Sequence, residues 1–276
     1  MLKSYSTIHD YLNDTLDFLL LQPVKNNIIL GQCLNAANKN SILSETVLCS
    51  IYRQDSIVLT AFKNRERVIL FGLLYHSEDL QLLSNYFKVN GFEIKGAWGD
   101  TIISIDFSKL YYPNYTIEKT LTVQQLSHLK SMELSNGSLQ VCNEDDTDLL
   151  ADWLYNFQRE CMLPMPLTKE KTLEDARHRI EQKTLYKWVV NDEMVSICAD
   201  AVMTDYFSKI SLVYTPLKHR RKNYARSSVW SLTKLILDRG QTTICLFTDK
   251  SNPTSNKIYQ EIGFQVIGES HEISFR

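Results

Sequence analysis

Between Lys218 and Arg226 the chain reads KHRRKNYAR, five Lys or Arg with no acid among them. An apolar run at 210–214 precedes this stretch, and an amphipathic segment from about 224 to 239 follows it. A basic loop that feeds a helix N-terminus is suited to an anion. The first backbone N–H groups of a helix have no partner within it, and the helix dipole favours negative charge there. Holding a phosphate also takes small residues where it comes close and backbone that turns its N–H groups inward. Ala225 is small, and Asn223 enters the left-handed region more readily than other non-glycine residues. A solvated basic loop capping a helix would carry the same residues, so spacing alone leaves both readings open.

A second stretch, 252–264, reads NPTSNKIYQEIGF. Asn252 suits an N-cap, Pro253 the first helical position and Gly263 the position after the helix. That punctuation has a structural explanation by itself. Tyr259 then reads equally well as a core aromatic or as a hydroxyl at a site.

The elements that must position these residues follow from the apolar periodicity. Residues 210–214 and 244–247 are expected as buried strands, with 224–239 as the helix between them. Ala225, Val229, Leu232 and Ile236 form its inward stripe and Gly240 ends it. Upstream, the pattern predicts a strand at 139–142, a helix at 145–160, a loop with two prolines at 162–166 and a helix at 173–183 capped by Thr172. A hairpin at 186–203 turns at 191–193, and β-prone residues at 266–275 close the chain. The first half predicts helices at 7–22 and 26–37, strands at 46–53, 57–62 and 67–73, a helix at 78–89, a weak strand, a helix near 101–110 and a β-prone run at 115–123. The two halves share nearly one element order, except that the first lacks an evident opening strand, an edge that 115–123 could supply. The expectation is an α/β (α+β) protein of two tandem domains, each a mixed sheet with helices on both faces. Their bounds are set at 1–130 and 135–276, with 131–137 as linker.

Composition narrows the function classes. The formal net charge of −2 argues against a general nucleic-acid binder. No apolar run approaches a membrane span. The N-terminus has no signal-peptide pattern, because Asp10, Asp14 and Asp17 interrupt its apolar residues. The six cysteines stand singly, with no metal-ligand spacing, so reduced core thiols, no metal and a cytoplasmic setting are expected.

The two stretches together resemble the GNAT acetyltransferase superfamily. Its cofactor loop follows the pattern Arg/Gln-x-x-Gly-x-Gly/Ala after a strand, matched here by Arg220-Arg221-Lys222-Asn223-Tyr224-Ala225. Its second motif sets an Asn seven residues before a Tyr and then Gly-Phe, matched by Asn252, Tyr259 and Gly263-Phe264. The resemblance covers roughly 138–276. It departs where the family's glycine is Asn223, and at Arg221, where many members also carry glycine. It implies acetyl-CoA as co-substrate. The backbone of Leu212, Val213 and Tyr214 would pair with the pantetheine arm. The amides of Arg221 through Arg226 would cradle the pyrophosphate, with Arg220 leading the loop. Asn252 and Ser255 would touch the cofactor, and Tyr259 would be the general acid. Asp200 and Asp249 are the candidate bases, Asp249 being equally suited to a turn.

The resemblance implies acetyl transfer to a primary amine, a small molecule or a peptide, by direct attack in a ternary complex, in a monomer or homodimer. The alternative is a catalytically degenerate acyl-CoA sensor or partner-docking module. In the first half, Glu78 and Asp79 stand where the basic loop would be, and acids there repel phosphate. That half is expected to lack the cofactor site, as in two-domain GNAT proteins with a degenerate first half.

Overall fold

The computed structural model describes residues 1–38, 45–162 and 167–276. Most of the expected two-proline loop therefore lies outside the described residues. The chain forms two compact units. One comprises Met1–Gln124, Phe247–Pro253 and Val266–Arg276, and the other Gln125–Leu246 and Thr254–Gln265. Two closing segments thus belong with the first unit, and the units are not simply the two halves of the chain in order.

The first unit runs β1 (Leu2–Tyr5), α1 (Ile8–Leu20), α2 (Asn27–Asn38), β2 (Thr46–Arg53), β3 (Ser56–Asn64), β4 (Arg67–Gly72), α3 (Ser77–Val89), β5 (Gly96–Asp100), α4 (Thr101–Tyr111) and most of β6 (Tyr115–Leu126). Its opening strand is β1, which pairs antiparallel with β2. The sequence reading missed it, and 115–123 does not take its place beside β2. Four residues with a mostly exposed pattern carry almost no period-2 signal. The sheet continues through β3 and β4, antiparallel, to β5, which is parallel to β4. Alternation along β4 decides the layers. Val68 and Leu70 pack with α3 and α4, whereas Ile69 and Phe71 pack with α1 and α2.

The second unit contains β7 (Ser138–Val141), α5 (Thr147–Glu160), α6 (Lys169–Glu181), β8 (Leu185–Val190), β9 (Glu193–Thr204), β10 (Phe207–Tyr214), α7 (Tyr224–Asp238), and parts of β11 (Thr243–Asp249) and α8 (Pro253–Ile262); β12 (Phe264–Phe275) ends the chain. The strand order is β11-β10-β9-β8-β7, with β10 and β11 parallel and the other pairs antiparallel. One face is covered by α5 and α6 around Leu150, Trp153, Leu154, Ile197 and Ala199. The other is covered by α7 and α8 around Cys198, Ile210, Val229, Leu232, Ile236 and Tyr259.

With β1 counted, both units open in one element order, so tandem α/β architecture with helices on both sheet faces is what the chain adopts. α6 starts four residues earlier than expected. Thr168 caps it, and Thr172 lies inside with its hydroxyl donating to the Thr168 and Lys169 carbonyls at 3.0 and 2.7 Å. The last β-prone run is one strand. Gly263 is required by close approach, because a Cβ there would lie 1.9 Å from the His128 carbonyl oxygen. Among the described residues no helix is long and apolar enough to cross a membrane.

Candidate functional site

The β9–β10 pairing breaks near the C-terminal end of β10. Ser211 faces Ala199 and Tyr214 faces Ile197, so β10 holds one more residue than β9 over that span. This is a β-bulge, and Leu212 sits in it at φ +51°. A non-glycine residue there costs about 1–2 kcal/mol, and such strain concentrates at functional sites. The bulge also changes which face residues serve. Leu212 packs on the α5–α6 side and Val213 on the α7–α8 side. Pairing of β10 with β11 ends at Ile210 and Leu246, while β10 runs on to Tyr214.

A 3-10 turn at Leu217–His219 leads into the basic loop. Arg220 is extended at φ −67° and ψ 163°. Arg221 and Asn223 are both left-handed, at φ +63° and +62°. Alternation of this kind curls backbone N–H groups toward one concavity. Helix α7 begins at Tyr224, and Ser227 N bonds Asn223 O at 3.0 Å as its first regular turn closes. The N–H groups of Tyr224, Ala225 and Arg226 therefore precede the helical ladder. Arg221, Lys222 and Asn223 are exposed, and Tyr224, Ala225 and Arg226 are half-buried.

The charge of the loop is divided. Lys218 pairs with Glu193 at 2.9 Å, Arg226 with Glu261 at 3.3 Å, and Arg220 with Glu160. Lys218 holds the Glu193 carboxyl below its ordinary range. Among the described residues neither Arg221 nor Lys222 is in an ion pair, so these two are the cations free to meet an incoming anion. His219 is buried in the turn, 3.4 Å from Glu193, and burial lowers its pKa.

Tyr259 lies on α8, buried with Ile210 and Phe264, its ring edge-on to Phe264 at 6.3 Å. Burial pushes its hydroxyl well above the usual tyrosine value, so it keeps its proton through neutral pH. Ser255 is half-buried in the first turn of α8. Asn252 is exposed, in the segment 247–253 of the first unit, its N–H bonding Asp249 O at 3.0 Å. Leu212, Val213 and Tyr214, the loop from Arg220 to Arg226, and Tyr259 are thus carried by adjoining elements of the second unit.

The two candidate bases stand differently. Asp200 faces α7 from β9, and its Oδ2 lies 3.3 Å from Nη1 of Arg239, the C-cap of that helix. The fifteen residues of α7 span about 22 Å. Asp200 therefore sits toward the end of α7 opposite the loop. Burial raises its pKa while the neighbouring Ser208 hydroxyl and Arg239 oppose that shift, and among the described residues Oδ1 has no partner within ordinary hydrogen-bond geometry. Asp249 accepts from Ser251 N at 2.8 Å and Ser251 Oγ at 2.6 Å, in the manner of a turn residue. Burial would raise its pKa, but the Ser251 hydrogen bonds together with Lys119, 3.6 Å away, outweigh that and hold it below the ordinary range.

Sequence reasoning missed Glu160, the last residue of α5. Its Oε1 accepts from Tyr214 Oη at 2.9 Å and its Oε2 pairs with Arg220. The partners are 54 and 60 residues apart, and no local pattern signals that meeting.

The matching position in the first unit is closed. His76 N donates to Asp79 Oδ2 at 2.8 Å at the start of α3, and Arg53 pairs with the same oxygen at 2.5 Å. The protein's own carboxylate occupies that helix N-terminus.

The second unit thus sets a bulged strand, a left-handed basic loop and a helix N-terminus in series on a mixed sheet covered on both faces. Residues 188–273 match the FR47-like protein family model, which covers the bulge, the loop and α8. No curated protein matches the chain. Solved structures do. A GNAT-family acetyltransferase from Colwellia psychrerythraea aligns over 100% of both chains at 13% identity and TM-score 0.65. A GCN5-related N-acetyltransferase from Sphaerobacter thermophilus aligns over 99% of this chain and 94% of its own, at 12% and 0.65. A tandem GNAT protein from the clavulanic acid biosynthesis pathway aligns over 99% and 97%, at 8% and 0.58. At these identities the likeness establishes the tandem GNAT fold.

Proposed function

We propose that the second unit is an N-acyltransferase that takes an acetyl group from acetyl-CoA and passes it to a primary amine by direct attack. The observation that carries this reading is the left-handed pair Arg221 and Asn223 placed between a strained bulge and an α-helix N-terminus. Two left-handed residues in that setting turn successive backbone N–H groups into one concavity at the start of a helix, the arrangement that receives an anion. The match of 188–273 to the FR47-like family supports it.

The residues present fit the co-substrate. The amides of Arg221 through Arg226 and the two unpaired cations would receive a pyrophosphate. The bulged backbone of Leu212–Tyr214 would align the pantetheine arm. Acetyl-CoA supplies an activated thioester. Fixed N–H donors at a bulge favour a carbonyl oxygen as it gains charge. Tyr259 stays protonated and so is available to a departing thiolate. Transfer from a free tyrosine to a free thiolate is uphill by about 2 kcal/mol, and burial of both groups raises both pKa values together. The amine must lose a proton before attack, because about 99.9% of a lysine-like amine is protonated at pH 7.

The engagement of Asp200 with Arg239 favours a second reading, a module that binds acyl-CoA without turning it over. Incubation with acetyl-CoA and a panel of polyamines, amino acids and peptide N-termini separates the two. Free CoA released in step with acetylated amine supports the enzyme. Saturable binding with no product over the whole panel supports the module. The helix N-terminus closed by Asp79 supports a first unit that holds no cofactor in either case.

A further inference from the structure

Arg220 opens the loop motif, yet its guanidinium turns back into the protein. Its Nε donates to Thr215 O at 2.7 Å, and its Nη2 pairs with Glu160. The guanidinium carbon lies 5.9 Å from the centre of the Tyr214 ring. That ring meets Trp153 and Phe157 of α5 edge-on, at 6.1 and 6.3 Å. Burial and the bond to Glu160 push the Tyr214 hydroxyl up to about 12, so it remains a donor to the carboxylate. On the β9 side, Ser196 Oγ donates to Tyr214 O at 3.1 Å and lies 2.8 Å from Thr215 Oγ1.

One carboxylate therefore joins the last residue of α5, the last residue of β10 and the residue just before the left-handed Arg221. We propose that Glu160 is a positioning residue, holding the turn from 215 to 223 in its anion-receiving shape before the ligand arrives. The inference rests on the reading of this loop as an acyl-CoA grip. It goes further by giving Arg220 a structural rather than phosphate-binding task, and by tying the grip to α5 on the opposite sheet face. Segments that must be ordered on binding subtract from affinity, so ordering this turn in advance strengthens it. The Glu160 and Arg220 side chains are 43% and 39% exposed, which limits the size of the effect.

The test is a double-mutant cycle read by calorimetric titration of acetyl-CoA. Glu160→Gln keeps an acceptor for Tyr214 but removes the charge facing Arg220; Arg220→Met removes the other partner. Each single substitution is expected to raise Kd about 2- to 5-fold. The double variant should lie within about twofold of the weaker single, because the two share one interaction. At saturating acetyl-CoA the maximal rate of Glu160→Gln should stay within about twofold of the parent, a split between affinity and rate that damage to the reaction centre would not give. Unchanged Kd in both singles, or additive losses in the double, overturns the proposal.

A second readout needs no cofactor. Hydrogen exchange of amides 217–224 in the free protein should quicken in Glu160→Gln and stay near the parent rate in Glu160→Asp, which retains the charge. Equal exchange in all three proteins also overturns the clamp. If the parent gives no heat with acetyl-CoA, the functional reading fails while the exchange experiment still decides the clamp.

Discussion

Asn223 offers a direct probe of why the loop is shaped as it is. It is left-handed at φ +62° and ψ +12°, exposed, and its side chain makes no capping bond to α7. Replacing it by Ala deletes no capping interaction and isolates backbone conformation. The left-handed region costs a non-glycine residue about 1–2 kcal/mol, and Asn less. Asn223→Ala should therefore cost about 0.5–1 kcal/mol, and Asn223→Val, branched at Cβ, at least about 1.5 kcal/mol. The cost has two places to appear. If the loop keeps its shape, urea unfolding reports it as lost stability. If the loop relaxes, acetyl-CoA affinity falls instead, about tenfold for each 1.4 kcal/mol. The two changes together should add to the conformational penalty. Asn223→Gly removes the penalty but loosens the unfolded chain, so its net effect stays within about 0.5 kcal/mol. Measurement of both quantities for the three variants completes the test. A Val variant as stable as the parent, binding acetyl-CoA equally well, would refute the argument that left-handed geometry at 223 is required.

Tyr259→Phe should lower the rate of acetyl transfer at least about 100-fold while acetyl-CoA binding changes less than about threefold; equal loss of both would remove the hydroxyl from the chemistry. For Asp200 the folded-state pKa is raised, so its ionisation works against the fold. The stability it allows is fully present below the unfolded carboxylate value and falls as pH rises through its folded value. Asp200→Asn should thus match the parent in acid and gain stability on it toward pH 7, with transfer activity kept within a few-fold; a loss of stability at neutral pH would contradict the sign. Removing the two unpaired cations in Arg221→Ala/Lys222→Ala should raise the Kd for acetyl-CoA about 5- to 10-fold and flatten its dependence on salt, whereas an unchanged salt slope would place the phosphates elsewhere.

Much of the fold was legible because its signals are local. The stripe of Val229, Leu232 and Ile236 fixed α7, and Gly240, at φ +90°, ends it as its composition implied. The turn at Gln54-Asp55 is left-handed at both residues, as a tight hairpin demands. β1 escaped notice because four edge residues bury too little to impose a pattern. The interleaving of 247–253 and 266–276 into the first unit is a matter of which strands lie together, and hydrophobic period does not encode that.

In the site, left-handed backbone at 223 followed from the residue type, whereas the same conformation at Arg221 and Leu212 did not, since neither side chain favours it. The pairing of Lys218, Arg220 and Arg226 with Glu193, Glu160 and Glu261 also lay beyond reach. Counting five cations overstated the charge open to a ligand, because the acids that meet three of them come from separate elements.

The central claim is that one acyl-CoA site exists per chain, in the second unit, because the helix N-terminus at Asp79 is filled by the protein's own carboxylate. Calorimetric titration of the intact chain with acetyl-CoA tests this most directly. The account predicts saturable binding of one molecule per chain, weakened when the 220–226 loop is altered and indifferent to Asp79→Asn. No heat at high protein concentration, or two molecules bound per chain, would contradict it.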